Sequence, residues 1–207
     1  MRTRRGRKGR RVTRRLAFAA MGFLVAVVPA ALTPQAGWAE ELFQDSGLCV
    51  PCFVYGVRFG VLAHDVDHLW SRSRAEGGAD LNFEIVFRRP GIEILGGAVL
   101  SNLGGSLNLA GDTSKAYAGL LWERLFGPGL FFNTGLGLAL HDGRLDTDDP
   151  DRKSLGARLL FRVPLEAGVI LSPRYRLSLF FDHVSNGYLA HPNEGLDTLG
   201  LRLGLQF

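Results

Sequence analysis

The chain has 207 residues, 46% of them hydrophobic, with 27 glycines and a formal net charge of +4 at pH 7. Nine of the 24 Lys and Arg residues precede residue 16 with no acid among them, so without these nine charges the net charge falls from +4 to −5. The basic composition therefore gives no support to nucleic-acid binding, and the length suits one domain.

The first 39 residues have the composition of an export signal. A basic segment, residues 1–15, precedes an apolar run, residues 16–32, and the small residues Gly37 and Ala39 flank Trp38. This order is typical of a secretory signal peptide, which we predict to end at Ala39. A basic nucleic-acid arm or a membrane anchor is the alternative, but the apolar run is short for a helical span.

Residues 40–52 are predicted to form a short periplasmic segment before the folded domain, residues 53–207. This segment contains the only two cysteines of the chain, Cys49 and Cys52, as Cys-Val-Pro-Cys. In an exported protein a local disulfide is the simplest interpretation, because a redox motif normally lies in an alternation of strands and helices that is lacking here. Whether the disulfide forms is left open.

From residue 53 onward the chain shows the period of two that is typical of strands. Segments of about ten residues alternate apolar with small or polar residues, and turn-forming residues separate them. We predict eight strands: Phe53–His64, Ala79–Arg88, Ile92–Ser101, Ser114–Leu125, Leu130–Leu140, Ser154–Leu165, Tyr175–Ser185 and Asp197–Phe207.

The predicted connections alternate between long and short. Long polar ones fall at 65–78, 102–113, 141–153 and 186–196, and tight ones at 89–91, 126–129 and 172–174. An even number of antiparallel strands with this alternation is typical of a bacterial outer-membrane β-barrel, with long loops outside the cell and short turns in the periplasm. A soluble eight-stranded barrel is the alternative, and it would place its apolar residues inside.

The last predicted strand separates its two faces. Its odd-numbered positions after the first carry Leu199, Leu201, Leu203 and Leu205, whereas the even-numbered positions include Arg202. A dry soluble core would not readily accept Arg202, but a membrane barrel has a polar lumen and an apolar outer face. We therefore predict an all-β protein, an eight-stranded antiparallel transmembrane β-barrel that crosses the outer membrane several times.

His183 and Ser185 share the outward face of the preceding strand. Residues i and i+2 of a strand lie on one side about 7 Å apart, which brings an imidazole within reach of a hydroxyl. Asp197 opens the next strand with outward parity, so the hairpin places all three at the long-loop end. These groups are the components of an acyl-transfer site, and their place on a lipid-facing surface indicates a membrane lipid as substrate. An interfacial histidine beside a loop serine is the alternative interpretation.

The same segment resembles a known family. The sequences His-Val-Ser-Asn at 183–186, Pro-Asn-Glu-Gly-Leu-Asp at 192–197 and, less specifically, Leu-His-Asp-Gly at 140–143 are similar to those of the outer-membrane lipid A 3-O-deacylases of the PagL type. The resemblance covers the eight-strand region. The chain departs from the family pattern at Asp197, where other members have glutamate, and at Gly187, where alanine is expected.

The resemblance implies an outer-membrane serine esterase that hydrolyses the ester-linked 3-O-acyl chain of lipid A in lipopolysaccharide. Ser185 would be the nucleophile, His183 the base and Asp197 the acid that orients it. The family's oxyanion donors would correspond to Asn186 and Gly187, whose backbone amides would face the charge that develops on the ester oxygen.

Two further residues of the last hairpin are candidate supporting groups, Asn193 and Glu194. Glu194 is a second carboxylate that could orient His183, but it lies inside a loop without fixed parity. An orienting group requires a rigid position, so Asp197 at the start of a strand is favoured.

The expected partners are lipid A and the surrounding outer-membrane lipids, without nucleic acid, cofactor or metal, and a homodimer is left open. The strongest candidate metal cluster is His-Asp-Val-Asp-His at 64–68, but alternating polar residues at the end of a strand are commonly just solvated. A noncatalytic structural or adhesion barrel is the alternative function. A porin is disfavoured because eight strands leave no wide pore.

Overall fold

The structure, a computed structural model, describes residues 53–71, 75–88 and 92–207. The predicted signal peptide, the periplasmic segment and both cysteines lie outside these residues, so what we predict for them stays a prediction. Among the described residues, no helix is long and apolar enough to cross a membrane.

The described residues form antiparallel strands joined in sequence order. The strands are β1 (Val54–Ala63), β2 (Ala79–Phe87), β3 (Glu93–Ile94), β4 (Gly97–Asn108), β5 (Lys115–Phe126), β6 (Leu130–His141), β7 (Leu159–Ile170), β8 (Tyr175–Ser185) and β9 (Leu196–Gln206). The two-residue strand β3 pairs only with the first residues of β4, and the other eight strands build the wall.

The eight long strands close on themselves. The sheet runs in the order β2-β1-β9-β8-β7-β6-β5-β4, and β2 also pairs with β4, so every long strand has two partners. Closure leaves no exposed edge among them. The predicted eight-stranded antiparallel barrel is therefore confirmed.

Two strands lie elsewhere than the sequence predicts. β4 continues to Asn108 through a segment that we predict to be a loop, because polar residues such as Asn102 point inward and bond there; Asn102 Nδ2 donates to Glu84 Oε2 at 2.9 Å. β7 starts at Leu159 and not at Ser154, because the preceding residues bond to the loop before it. Leu155 N, for example, donates to Arg144 O at 3.1 Å.

The two faces of the wall have opposite chemistry. On β9, Leu201 and Leu203 are exposed on the outer surface, whereas Arg202 is 1% exposed inside the barrel. The Arg202 guanidinium lies 2.9 Å from a Glu84 oxygen and 3.9 Å from the ring centroid of Phe180. The predicted parity is confirmed, and the lumen is filled with paired charges and aromatic rings. An outer surface so rich in exposed leucine and phenylalanine suits hydrocarbon.

Four long loops gather at one end of the barrel, and their described residues are 64–71 and 75–78 (L1), 109–114 (L2), 142–158 (L3) and 186–195 (L4). Glu76 of L1 ties three of them together, because its carboxylate accepts hydrogen bonds from Thr113 Oγ1 at 3.0 Å and Lys153 N at 3.1 Å. It also lies 3.0 Å from His64 Nε2, while Asp80 lies 2.8 Å from Nδ1. We call these five residues the loop cluster.

The charges of the loop cluster stabilise one another. Burial alone lowers the pKa of His64, but hydrogen bonds to Asp80 and Glu76 outweigh it and raise that pKa to about 9. For Glu76, burial raises the pKa, and the bonds from His64, Lys153 and Thr113 outweigh it and lower the value to about 2. The cluster therefore holds an ion pair at neutral pH.

Candidate active site

Ser185, His183 and Asp197 form a continuous hydrogen-bonded chain on the outer face of the barrel. His183 Nε2 lies 3.1 Å from Ser185 Oγ, and His183 Nδ1 lies 2.6 Å from Asp197 Oδ1. The hydroxyl, the two sides of the imidazole and the carboxylate thus follow one another in the order needed to activate a serine.

The strand register brings this chain together. His183 of β8 and Asp197 of β9 are direct partners in the antiparallel ladder, and Ser185 follows two residues later on the same face. Direct cross-strand partners have Cβ atoms about 4.5–5.5 Å apart, so an imidazole and the short carboxylate of an aspartate are close enough to form a hydrogen bond. The distance from His183 to the acid is therefore set by backbone pairing and not by loop geometry.

Loop L1 holds the second oxygen of the Asp197 carboxylate. Asp197 Oδ2 accepts hydrogen bonds from Trp70 N at 2.7 Å and from Ser71 N at 2.6 Å. Asp197 O also accepts one from Val66 N at 2.9 Å. With Oδ1 at the imidazole, the carboxylate is fixed at both oxygens and is fully buried.

The side chain of Trp70 covers His183. The indole and imidazole rings stack with centroids 4.6 Å apart and planes inclined by 16°. The ring of Phe181 is also nearly parallel to the indole, with centroids 6.4 Å apart. His183 is consequently only 7% exposed although it points out of the barrel wall, whereas Trp70 is 54% exposed. Trp70 and the L1 amides are not predictable from the sequence, because nothing in the local pattern of residues 64–78 indicates that they meet β9.

A tight turn follows the serine. Gly187 and Tyr188 both have a φ of 63°, and Leu189 N donates to Asn186 O at 3.2 Å, which are the features of a type I′ turn. Among the described residues, the backbone N–H of Gly187 donates no hydrogen bond. The N–H of Asn186, in contrast, donates to Asn193 Oδ1 at 3.0 Å.

Of the two predicted supporting residues, neither is a hydrogen-bond partner of His183. Asn193 accepts the Asn186 amide, and Glu194 Oε2 accepts a hydrogen bond from Ser154 N at 2.5 Å, which joins L4 to L3. The structure thus places Asp197, and not Glu194, at the imidazole.

The other polar motifs lie elsewhere. His64 belongs to the loop cluster, while His68 is exposed, so the segment 64–68 does not converge on one point. Among the described residues, no group of three His, Cys, Asp or Glu side chains could hold a metal ion. His141 Nε2 lies 2.7 Å from Ala157 O, so it supports L3 and is not in the chain of Ser185.

Comparison with known structures gives the same architecture. The chain is similar to the crystal structure of the outer membrane enzyme PagL, with a TM-score of 0.50 and 15% identity over 72% of this chain and 99% of that one. It also matches neisserial surface protein A (TM-score 0.43, 12% identity, 75% and 96% covered) and the Yersinia pestis outer membrane protein Ail (0.45, 9%, 75% and 99%). At 15% identity the likeness to the PagL structure concerns the fold alone.

The family comparison is more specific. No curated protein sequence matches the chain. The model of the family described as lipid A 3-O-deacylase (PagL) matches residues 78–206, which is more than half of the chain and includes β8, L4 and β9. With an apolar outer face on a closed barrel, the protein is located in the bacterial outer membrane and belongs to the lipid A 3-O-deacylase (PagL) family.

Proposed function

We propose that this protein is a serine esterase that hydrolyses the ester-linked 3-O-acyl chain of lipid A in lipopolysaccharide. The observation that carries the proposal is the hydrogen-bonded chain Ser185–His183–Asp197 on the outer face of the wall. Three polar groups aligned on a surface otherwise given to hydrocarbon suit a substrate that is itself a lipid.

Each group has a defined part in the reaction. Ser185 Oγ attacks the ester carbonyl while His183 Nε2 takes its proton, and Asp197 stabilises the imidazolium through Nδ1. The tetrahedral intermediate expels the sugar 3-oxygen, which receives the proton from His183, and leaves an acyl-enzyme. A water molecule activated by the same imidazole then attacks the acyl-enzyme, releases the fatty acid and regenerates the serine.

The charge on the carbonyl oxygen needs donors beside the serine. Gly187 N–H is the first candidate, because it has no hydrogen-bond acceptor within the described part of the chain and lies two residues after Ser185. Asn186 N–H, the other predicted donor, is engaged by Asn193 Oδ1 and would have to exchange that acceptor for the oxyanion. We propose Gly187 as the principal donor and Asn186 as a second one.

The surface beside the serine suits an acyl chain. Ser185 pairs with Phe161 of β7, and Phe161 pairs with Leu138 of β6, so the neighbouring outward side chains in that row are apolar. Phe161 and Leu138 are both about half exposed. A chain leaving the ester could lie along them without leaving the hydrocarbon layer.

The test is to incubate the purified, refolded protein with lipopolysaccharide and to weigh the lipid A product by mass spectrometry. We expect the loss of one ester-linked hydroxyacyl chain, with release of the free acid, and no loss with Ser185→Ala. A refolded wild-type barrel that leaves lipid A intact in several detergents would instead support the noncatalytic structural or adhesion function.

A further inference from the structure

We infer that Trp70 is a positioning residue for His183: its indole is a lid that fixes the imidazole and separates it from the lipid. The inference deepens the proposed function and rests on it. Trp70 acts through His183, on whose ring its indole stacks.

The geometry of L1 supports a fixed lid. The backbone N–H groups of Trp70 and Ser71 both donate to Asp197 Oδ2, at 2.7 and 2.6 Å, while the indole stacks on the imidazole at 4.6 Å. One short segment therefore contacts two consecutive members of the catalytic chain, one through its backbone and the other through its ring. Because those amides anchor the backbone, the indole cannot leave the imidazole without a change of its own rotamer.

The exposed fractions of the outward side chains of β8 show that the indole shields His183. His183 lies on the outward parity of β8, where Leu177 and Leu179 are 41% and 53% exposed, yet it is 7% exposed itself. The outer side of Trp70 is open, so surrounding lipid touches the indole where it would otherwise touch the imidazole. Without this lid, the Nδ1–Asp197 hydrogen bond would be open to water and to lipid head groups.

The stacking of Trp70 on His183 would assist the proposed reaction in two ways. His183 becomes an imidazolium each time it takes the Ser185 proton, and the face of an indole attracts a cation. A second effect is orientational, since a ring held between the indole and the wall keeps Nε2 directed at Ser185 Oγ. Both effects act on the rate of the chemical step more than on substrate binding.

An interfacial belt residue is the competing explanation, because tryptophan is common at both rims of membrane barrels. Trp122 on β5 is a suitable control for that role. Its Nε1 donates to Ile94 O at 2.6 Å, near the short turn that joins β3 to β4, and it touches no member of the catalytic chain. A belt role predicts similar effects for the two residues, and a positioning role does not.

The first test compares Trp70→Leu, Trp70→Phe and Trp122→Leu as full-length refolded proteins with lipopolysaccharide in one detergent. We expect Trp70→Leu to lower kcat by about 10- to 100-fold with KM changed less than about threefold. Trp70→Phe, which keeps an aromatic ring on the imidazole, should stay within about fivefold of wild type, and Trp122→Leu should match wild type. Heat-modifiable gel mobility checks that each barrel is folded.

The second test reads the contact without using activity. The chain has three tryptophans, so Trp38→Phe with Trp122→Phe leaves Trp70 as the sole indole. An imidazole stacked on the indole ring quenches its fluorescence, so His183→Asn should raise the emission of this protein at a fixed pH. His68→Asn, which alters the exposed histidine of L1, should leave the emission unchanged.

The outcomes separate the lid from the proposed reaction. A Trp70→Leu protein with wild-type kcat, or an indole emission that is unchanged in His183→Asn, would overturn the inference. If the wild-type protein itself hydrolyses no lipid A, the proposed function fails, while the fluorescence comparison still decides whether Trp70 covers His183.

Discussion

Asp197 Oδ1 and His183 Nδ1 lie 2.6 Å apart across a directly paired position of two neighbouring strands. The pairing makes the contact a property of the barrel wall, whose ladder continues through the whole length of β8 and β9. The imidazole is therefore held in one orientation before any substrate arrives, which is the arrangement that the proposed acyl transfer requires.

The proposed nucleophile and base give the first prediction. Ser185→Ala and His183→Asn should each lower kcat by at least about 10³-fold, because each removes a group that the reaction cannot replace. Both side chains project from the outer face, so the barrel should still fold. Product release is measured by mass spectrometry of lipid A, and wild-type turnover in Ser185→Ala would refute the mechanism.

The two carboxylates of the last hairpin give the second prediction. Asp197→Asn should lower kcat by roughly 10- to 10⁴-fold, because the amide cannot balance the imidazolium charge while the serine and oxyanion donors remain. Glu194→Gln should change kcat less than about threefold, since a glutamine oxygen can still accept from Ser154 N. The check is to measure kcat for both variants in one detergent. An inactive Glu194→Gln together with an active Asp197→Asn would mean that Glu194, and not Asp197, orients His183.

The turn after the serine gives the third prediction. Tyr188 is 76% exposed and has a φ of 63°, a left-handed conformation that a side chain disfavours by roughly 1 kcal/mol. Tyr188→Gly should therefore leave the free energy of unfolding unchanged or raise it by up to about 1 kcal/mol. Leu189→Gly is the matched control, because Leu189 is equally exposed without a positive φ, and it should lower the value by about 0.5–1 kcal/mol. Equal losses of unfolding free energy in both variants would contradict backbone strain at Tyr188.

The loop cluster gives the fourth prediction, on pH. The pKa of His64 rises from 6.5 to about 9 on folding, so its contribution is complete below pH 6.5 and is lost as the pH rises through 9. The pKa of Glu76 falls from 4.5 to about 2, so its contribution is complete above pH 4.5 and is lost as the pH falls through 2. Amide protection factors in L1 should be largest between these limits, at pH 4.5 to 6.5.

Two histidine variants test that pH profile. His64→Gln should remove the decline in protection above pH 6.5, whereas His68→Gln should leave it as in wild type, because His68 is exposed and outside the loop cluster. A decline that persists in His64→Gln would assign it to another group.

The lipid-facing surface gives the fifth prediction. Leu201 lies at the middle of β9 and is 45% exposed on the outer face. Leu201→Arg should lower the free energy of unfolding in lipid vesicles by about 2–4 kcal/mol, since it places a charge near the centre of the hydrocarbon layer. Leu201→Val, which keeps the surface apolar, should cost less than about 1 kcal/mol. Equal tolerance of both changes would mean that this face is not in lipid.

Strand parity made the barrel predictable from the sequence. The alternation around Arg202 assigns the inner and outer faces of β9, and the same alternation places His183 and Ser185 outside. The limits of β4 were not predictable in this way, because inward residues such as Asn102 are polar in a charged lumen and look like loop residues.

Contacts between distant segments could not be predicted from the sequence. Trp70 lies 113 positions before His183, and no period or motif connects L1 with β8. The bond from Asn186 N to Asn193 Oδ1 is likewise a property of the folded loop L4. Local patterns therefore predict which groups share a face. The position of Trp70 and the hydrogen bonds that L1 and L4 form around the site depend instead on how the loops pack.

The filled lumen closes one route to Ser185. Because the buried side chains of Arg202, Arg162, Glu84 and Phe180 fill the inside of the barrel, no substrate can reach Ser185 through it, and a lipid substrate would approach by diffusing within the plane of the leaflet. Encounter with a lipid would then depend on its surface density around the barrel and on lateral mobility, and not on its concentration in water. A stiff, crowded leaflet would slow such an encounter even if every residue of the site were in place.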